Sequence, residues 1–154
     1  MSPFRVLVVD DFEPFRRFIC STLKKRQGLQ VVGEAADGVE AVQKAEELQP
    51  NLILLDIGLP KLNGIEAARR IRQLSPNSKL LFVSQESSSD VVHEALRSGA
   101  GYVLKIRVAD DLLPAVEAVR RGGHFVSSGL LDADFAGAAG PQLPGRLSQQ
   151  SADD

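Results

Sequence analysis

Short apolar segments alternate with segments of helical apolar spacing along most of the chain, and this alternation is the feature that most constrains the fold. Strands are predicted for five apolar segments, at residues 5–9, 29–35, 52–55, 79–83 and 102–104. Helices are predicted for the five segments between and after them, at residues 13–25, 39–48, 64–74, 91–98 and 111–121. The last helix is expected to be capped by Asp110 or Asp111, which places Pro114 in its first turn. Such alternation with short connections predicts an α/β domain with a parallel sheet, right-handed crossovers and helices on both faces.

The composition fits one soluble globular domain. The 154 residues are 44% hydrophobic and 25% charged, which is enough for a sizeable core. A net charge of −2 gives no indication of electrostatic binding to nucleic acid or to an anionic membrane. No apolar run approaches the ~18 residues that span a bilayer, and the N-terminus lacks the layout of a signal peptide. We therefore expect a cytoplasmic protein with no membrane partner, and its single cysteine, Cys20, excludes an internal disulfide.

One predicted strand runs directly into a carboxylate. Residues 52–55 are all apolar, Asp56 follows them, and Gly58 and Pro60 then force a turn. A continuous apolar run is typical of a central parallel strand that is buried on both faces. Asp56 is therefore expected at the carboxyl end of such a strand, where open α/β sheets bind their ligands. Taken alone, an aspartate in this position would more often be a cap of the next helix than a reactive group.

Polar side chains also end three other predicted strands. Asp10 and Asp11 follow the first strand, Ser84 ends the fourth and Lys105 ends the fifth. Carboxylates that lie close together raise one another's pKa unless a cation joins them, and Mg²⁺ with oxygen ligands suits such a cluster. A carboxylate nucleophile, a metal, an ammonium and a hydroxyl together predict a site that accepts a phosphoryl group as an aspartyl phosphate. The alternative is a structural cluster of loop carboxylates beside a surface lysine.

The motifs of residues 4–126 resemble those of the receiver domains of two-component response regulators. The motifs that carry this resemblance are Val8-Val9-Asp10-Asp11, Leu54-Leu55-Asp56-Ile57-Gly58-Leu59-Pro60, Asn63-Gly64, Ser84 and Tyr102-Val103-Leu104-Lys105. The resemblance implies a flavodoxin-like fold of five βα units with the strand order 2-1-3-4-5. Residues 64–72 and 118–123 are most similar to receivers that carry a C-terminal helix-turn-helix output domain.

The resemblance also implies a role for each site residue. Asp56 is the expected phospho-acceptor. Asp11, Asp56 and the backbone carbonyl of Gly58 are the expected direct ligands of Mg²⁺, the only cofactor implied, and Asp10 is expected to act through a metal-bound water. Ser84 and Lys105 are expected to hold the phosphoryl oxygens.

The expected output is a change of surface rather than a chemical product. Tyr102 is the implied switch aromatic, which turns inward as Ser84 moves toward the phosphate, and the surface of the fourth helix, fifth strand and fifth helix then changes its packing. The implied partners are a histidine kinase or phosphotransfer protein and a downstream protein target, and a homodimer is a further hypothesis. The chemistry is limited to self-phosphorylation and self-dephosphorylation, so we do not expect an enzyme in the usual sense.

Three departures from the family pattern leave alternatives open. Gln85 follows Ser84 where relatives usually have a small residue, which keeps open a pseudo-receiver that binds partners without phosphotransfer. Ile106 follows Lys105 where many relatives have proline. Residues 127–154 are predicted to be a short, mostly flexible extension, too short and too rich in glycine and proline for a DNA-binding domain. The expectation is a stand-alone receiver without direct nucleic-acid contact.

Two enzyme or carrier classes fit the sequence less well. Hydrolases that use an aspartate nucleophile usually place a second aspartate two residues later as acid and base, but Gly58 occupies that position. A flavin or nucleotide carrier of this fold needs a glycine-rich phosphate loop after the first strand, but residues 10–13 are mostly acidic.

Overall fold

The computed structural model describes residues 2–130. Their strands are β1 Phe4–Val9, β2 Leu29–Ala35, β3 Leu52–Leu55, β4 Lys79–Ser84, β5 Gly101–Leu104 and β6 Phe125–Val126. Their α-helices are α1 Glu13–Lys24, α2 Gly38–Leu48, α3 Gly64–Leu74, α4 Ser89–Leu96 and α5 Val108–Arg120, and a 3₁₀ turn covers Lys105–Arg107. None of the helices in this part of the chain is both long and apolar enough to cross a membrane.

All strands pair in parallel in one sheet of order β2-β1-β3-β4-β5-β6. The predicted fold class and the order of the first five strands are confirmed. The sequence did not predict β6, a two-residue strand that extends the edge beyond β5. Its shortness explains the omission, because two residues carry no detectable alternation of apolar and polar side chains.

The sheet separates two apolar cores, and the central strands supply both. Along β3, Leu52 and Leu54 point into the core formed with α1 and α5. Ile53 and Leu55 point into the other core, which is formed with α2, α3 and α4. Because successive strand residues face opposite sides, a strand with a helix layer on each face must be apolar at every position.

The start of α5 differs from the sequence-based expectation. The helix begins at Val108, directly after the 3₁₀ turn, so that Pro114 lies inside the helix rather than in its first turn. The expected cap is absent because the Asp111 carboxylate is buried and bonds to Arg107 and Ser127 instead. Pro114 is exposed, and water can therefore hydrate the carbonyl group that its missing N–H leaves unpaired.

Of the predicted C-terminal extension, residues 127–154, the structure describes only residues 127–130. Ser127 and Leu130 are buried against the domain, and Ser127 donates its backbone N–H to the Tyr102 carbonyl at 2.9 Å. The packed core of the domain therefore includes Leu130. Residues 131–154, for which flexibility and the absence of a DNA-binding domain were predicted, lie outside the described residues.

Candidate functional site

Three carboxylates meet where β1 lies between β2 and β3, at the carboxyl ends of the strands. Val9 pairs with Leu55 in the parallel register, so the residues that follow them, Asp10 and Asp56, are neighbours. One carboxylate oxygen from each of Asp10, Asp11 and Asp56 lies within 4.8 Å of the others. Asp10 and Asp56 are buried, whereas Asp11 is exposed at the rim. The cluster therefore has an acidic floor that opens to solvent on one side.

Lys105 bridges the two buried carboxylates. Its Nζ lies 2.7 Å from Asp10 Oδ2 and 3.1 Å from Asp56 Oδ2. The ammonium also lies 4.5 Å from the centre of the Phe15 ring on α1, at a distance suited to a cation–π contact. Burial by itself lowers the pKa of Lys105, but the hydrogen bonds and charges of Asp10 and Asp56 outweigh it, and the pKa is raised. Lys105 is therefore a charged ammonium that already lies beside the predicted acceptor.

Backbone groups orient both buried carboxylates. Asp56 Oδ1 accepts a hydrogen bond from the N–H of Ile57 at 2.7 Å, and Asp10 Oδ1 accepts one from the N–H of Phe12 at 2.9 Å. Burial raises the pKa of Asp10 above its ordinary value of 3.8, although Lys105 and the Phe12 N–H act in the opposite direction and Asp56 adds to the rise. The folded protein therefore disfavours the negative charge on Asp10 in the absence of a further cation.

The turn after Asp56 packs closely against the backbone of Asp56 itself. Gly64 donates its N–H to the Ile57 carbonyl at 2.7 Å, and a Cβ at Gly64 would lie 2.0 Å from the Asp56 carbonyl oxygen. Asn63 caps α3, with its side chain accepting a hydrogen bond from the Glu66 N–H at 3.0 Å. The Asn63-Gly64 motif is thus explained by a cap followed by a close approach, and the capping role considered for Asp56 belongs to Asn63.

Ser84 and Tyr102 meet at the start of the loop between β4 and α4. Ser84 Oγ accepts a hydrogen bond from the Glu86 N–H at 3.2 Å, and the Tyr102 hydroxyl donates to the Glu86 carbonyl at 2.7 Å. Tyr102 is fully buried and stacks on Phe82, with 6.2 Å between ring centres. Burial raises the pKa of Tyr102 to about 12, an effect that the Ser84 hydroxyl reduces and the charges of Glu86 and Asp56 increase.

Tyr102 is therefore already in the inward position of the switch that the resemblance implies. Both it and Ser84 hold the backbone of Glu86, the second residue of the loop that leads into α4. A movement of Ser84 would displace this loop through the hydrogen bond from the Glu86 N–H.

The donor set of the acidic cluster fits Mg²⁺. Its carboxylate oxygens come from residues that follow β1 and β3. Gly58, whose carbonyl is the further expected ligand, is exposed two residues after Asp56. Hard divalent cations prefer oxygen ligands and take only one or two carboxylates when phosphate completes the shell. The raised pKa of Asp10 is a second sign that the cluster lacks positive charge.

The structure joins Asp10, Asp11, Asp56 and Lys105 in one cluster. Ser84 and Tyr102 meet at the Glu86 backbone instead, and the structure adds two contacts that the sequence did not indicate. Phe15 lies under the Lys105 ammonium, and the Glu86 backbone joins Ser84 to Tyr102. Phe15 is one of the apolar residues whose spacing indicates α1, and that spacing carries no signal for a contact with Lys105. No sequence signal marks Glu86, because it acts through backbone groups that every residue carries.

Comparisons with known proteins agree with this geometry. Residues 6–117 match the family model of the response regulator receiver domain. The chain is 38% identical over 120 residues to the transcriptional regulatory protein LnrK of Bacillus subtilis (strain 168), covering 77% of this chain and 54% of that protein. It is 40% identical over 119 residues to the response regulator protein VraR of Staphylococcus aureus (strain NCTC 8325 / PS 47), covering 77% of this chain and 57% of that protein. The chain thus spans little more than half the length of these relatives.

A solved structure agrees in both fold and sequence. The two-component response regulator of the LuxR family from Aurantimonas sp. SI85-9A1 superposes with a TM-score of 0.79 and 32% identity, covering 84% of this chain and 93% of that one. The family match covers the three carboxylates, Ser84 and Lys105. The chain belongs to the family of response regulator receiver domains.

Proposed function

We propose that this receiver domain accepts a phosphoryl group on Asp56 in a Mg²⁺-dependent reaction and signals through the surface formed by α4, β5 and α5. The observation that carries the proposal is the sharing of one ammonium, Lys105, between the buried carboxylates of Asp10 and Asp56. A structural ion pair needs only one carboxylate for each ammonium. This cluster has a surplus of negative charge at a solvent-exposed rim, which suits a cation and an incoming phosphoryl group.

Asp56 acts as the nucleophile. One carboxylate oxygen attacks phosphorus, a P–O bond forms, and the bond from phosphorus to the donor breaks, with its electron pair leaving on the donor. Asp11, Asp56 and the Gly58 carbonyl would hold Mg²⁺, with Asp10 acting through water, and the ion would supply positive charge for the phosphoryl oxygens. The Ile57 N–H orients the Asp56 carboxylate, and Lys105 supplies a second positive charge beside it.

The donor is a histidine kinase or phosphotransfer protein. Two exposed apolar side chains flank the cluster and suit docking of such a protein, since each directly follows a site residue in the sequence. Phe12 follows Asp11 and is 61% exposed, and Ile106 follows Lys105 and is 91% exposed. A protein that docks over the site would bury both side chains, and the burial of apolar surface favours association.

Ser84 is the residue through which phosphorylation of Asp56 changes the loop before α4. A phosphoryl group on Asp56 adds about −1.5 to −2 charge and new hydrogen-bond acceptors, to which the Ser84 hydroxyl and Lys105 are drawn. Ser84 and Tyr102 share the Glu86 backbone, so a movement of Ser84 changes the loop that leads into α4. A downstream protein would then recognise the altered surface of α4, β5 and α5.

Phosphate incorporation from acetyl phosphate tests the proposal. We expect Mg²⁺-dependent, acid-stable and base-labile labelling of the wild type that Asp56→Asn abolishes. Asp90→Asn is a matched control, because Asp90 is an exposed acidic residue on α4. Labelling that survives in Asp56→Asn would refute the assignment of the acceptor.

A pseudo-receiver is the second candidate, and Gln85 is the observation that favours it. Gln85 directly follows Ser84 and is exposed at the mouth of the site, where a long side chain could exclude the donor. A folded wild type that takes up no phosphate would support this candidate, and recovery of labelling in Gln85→Ala would identify donor exclusion as the cause.

A further inference from the structure

The residues on either side of Lys105 are held by a buried pair that lies outside the motifs of the phosphorylation site. Leu104, which precedes Lys105, donates its N–H to Ser127 Oγ at 3.0 Å. Arg107, two residues after Lys105, donates to the Asp111 carboxylate through Nε at 3.3 Å and Nη2 at 3.2 Å. Ser127 Oγ in turn donates to Asp111 Oδ2 at 2.7 Å. One hydrogen-bonded pair therefore holds both flanks of Lys105.

The pair is buried and satisfied, which makes it rigid. Ser127 is fully buried and Asp111 is 7% exposed. The backbone of Ser127 also takes part, donating its N–H to the Tyr102 carbonyl at 2.9 Å. Ser127 thus extends the pairing of β6 with β5 by one residue, and its hydroxyl oxygen accepts the Leu104 N–H in place of a backbone carbonyl. Hydrogen bonds inside a protein are stronger than at its surface, so this junction resists displacement.

The backbone of Lys105 determines where its ammonium can reach. The side chain is long and flexible, and its Nζ contacts Asp10 and Asp56 at 2.7 and 3.1 Å. Because the ammonium must reach two carboxylates at once, a displacement of the Lys105 backbone by about 1 Å leaves the side chain fewer conformations that make both contacts. The turn of residues 105–107 joins β5 directly to α5. The pairing of Leu104 with Ser84 and the contacts of Ser127 and Asp111 therefore oppose such a displacement.

We infer that Ser127 and Asp111 are positioning residues for phosphoryl transfer, which hold Lys105 where its ammonium meets the phosphoryl group on Asp56. The inference rests on the proposed function and extends it to a segment beyond α5. Neither residue touches the acidic cluster, so their effect is exerted through Lys105. The segment that follows β6 is then part of the phosphorylation machinery as well as the edge of the fold.

Ser127→Ala separates positioning from stability, with Ser75→Ala as the matched control. Ser75 is also a buried serine, and its hydroxyl bonds to the side chains of Gln49 and Ser78, but it lies at the opposite edge of the sheet. The rate of phosphate incorporation from acetyl phosphate is measured at saturating Mg²⁺. Mg²⁺ affinity is measured separately by the fluorescence of Tyr102, because the chain has one tyrosine and no tryptophan.

We expect Ser127→Ala to lower the maximal rate about tenfold, with Mg²⁺ affinity unchanged, and Ser75→Ala to change neither quantity. If Ser127→Ala fails to fold, Asp111→Asn provides the same comparison, since it keeps the side-chain shape but weakens the bonds to Arg107. A maximal rate equal to that of the wild type, or a parallel loss of Mg²⁺ affinity, would overturn the inference. Failure of the wild type itself to take up phosphate would instead refute the proposed function, and the inference with it.

Discussion

The amino and carboxyl edges of the sheet both bury polar side chains, but among residues 2–130 only the carboxyl edge buries two carboxylates that share one cation. At the edge where the strands begin, Ser75 Oγ lies 2.6 Å from Ser78 Oγ, and Ser78 donates to the Pro50 carbonyl at 2.5 Å. Every one of these groups is neutral. At the edge where the strands end, Asp10 and Asp56 share the single ammonium of Lys105, and Asp11 adds a third carboxylate.

The difference indicates what each edge contributes. Neutral hydroxyls that bond to one another and to backbone carbonyls are satisfied within the protein and contribute stability. A cluster with more carboxylates than cations is satisfied only in part until another cation arrives. The edge that is less stable by itself is therefore the one that can bind a ligand.

The largest effect is expected where the carboxyl edge is most tightly packed. Gly64→Ala would place a methyl group 2.0 Å from the Asp56 carbonyl oxygen, and the required backbone shift should lower the free energy of unfolding by about 3 kcal/mol. Gly58→Ala is the control, because a Cβ there meets nothing within 4 Å, and its change should stay within about 0.5 kcal/mol. Urea unfolding measures both. Equal losses in the two variants would mean that the turn adapts to the added methyl group.

The next prediction tests the contrast between the edges directly, because a substitution at the carboxyl edge should stabilise the protein and one at the amino edge should destabilise it. In the absence of Mg²⁺, Asp10→Asn should raise the free energy of unfolding by about 1 kcal/mol, since folding disfavours the Asp10 charge. Ser75→Ala should lower it by about 1 kcal/mol, since the loss of a buried hydroxyl leaves Ser78 with one partner fewer. Destabilisation by both substitutions would show that Lys105 fully compensates the carboxylates.

The gap between wild type and Asp10→Asn should also depend on pH. Because the folded pKa of Asp10 is raised above 3.8, the contribution of its neutral form to stability is present below pH 3.8 and is lost as pH rises through the folded pKa. The advantage of the Asn variant should therefore be small in acid and grow as pH rises. Urea unfolding across this range measures the gap, and a gap independent of pH would contradict a raised pKa.

The last prediction concerns the switch tyrosine and needs no substitution. Tyrosinate absorbance should show Tyr102 titrating at about 12 in the folded protein, against 10.0 in denaturant. The chain has one tyrosine, so the signal needs no assignment. The contribution of the buried phenol to stability is present below pH 10.0 and is lost as pH rises toward 12. A folded-state pKa near 10.0 would place Tyr102 in the outward position in solution.

Much of the fold and of the candidate site could be predicted because both depend on local patterns. The run from Leu52 to Leu55 followed by Asp56 indicates a buried strand and a polar strand end without any knowledge of the rest of the chain. Alternation with helices makes the strands parallel, and parallel strands place all their carboxyl ends together. The start of α5 was predicted wrongly. Aspartate is a residue type that commonly caps helices, but the carboxylate of Asp111 bonds to Ser127, which lies 16 residues away in the sequence.

The sequence by itself determined the fold class, the strand order through the family resemblance, and the identity of the residues at the carboxyl edge, because periodicity and strand-end residues are encoded within short segments. Only the tertiary structure decided that Lys105 bridges Asp10 and Asp56, that Tyr102 lies inward, and that Ser127 with Asp111 holds both flanks of Lys105. The physical reason is distance along the chain. These contacts join residues that no local pattern relates, and they form only when the sheet brings the ends of its strands together.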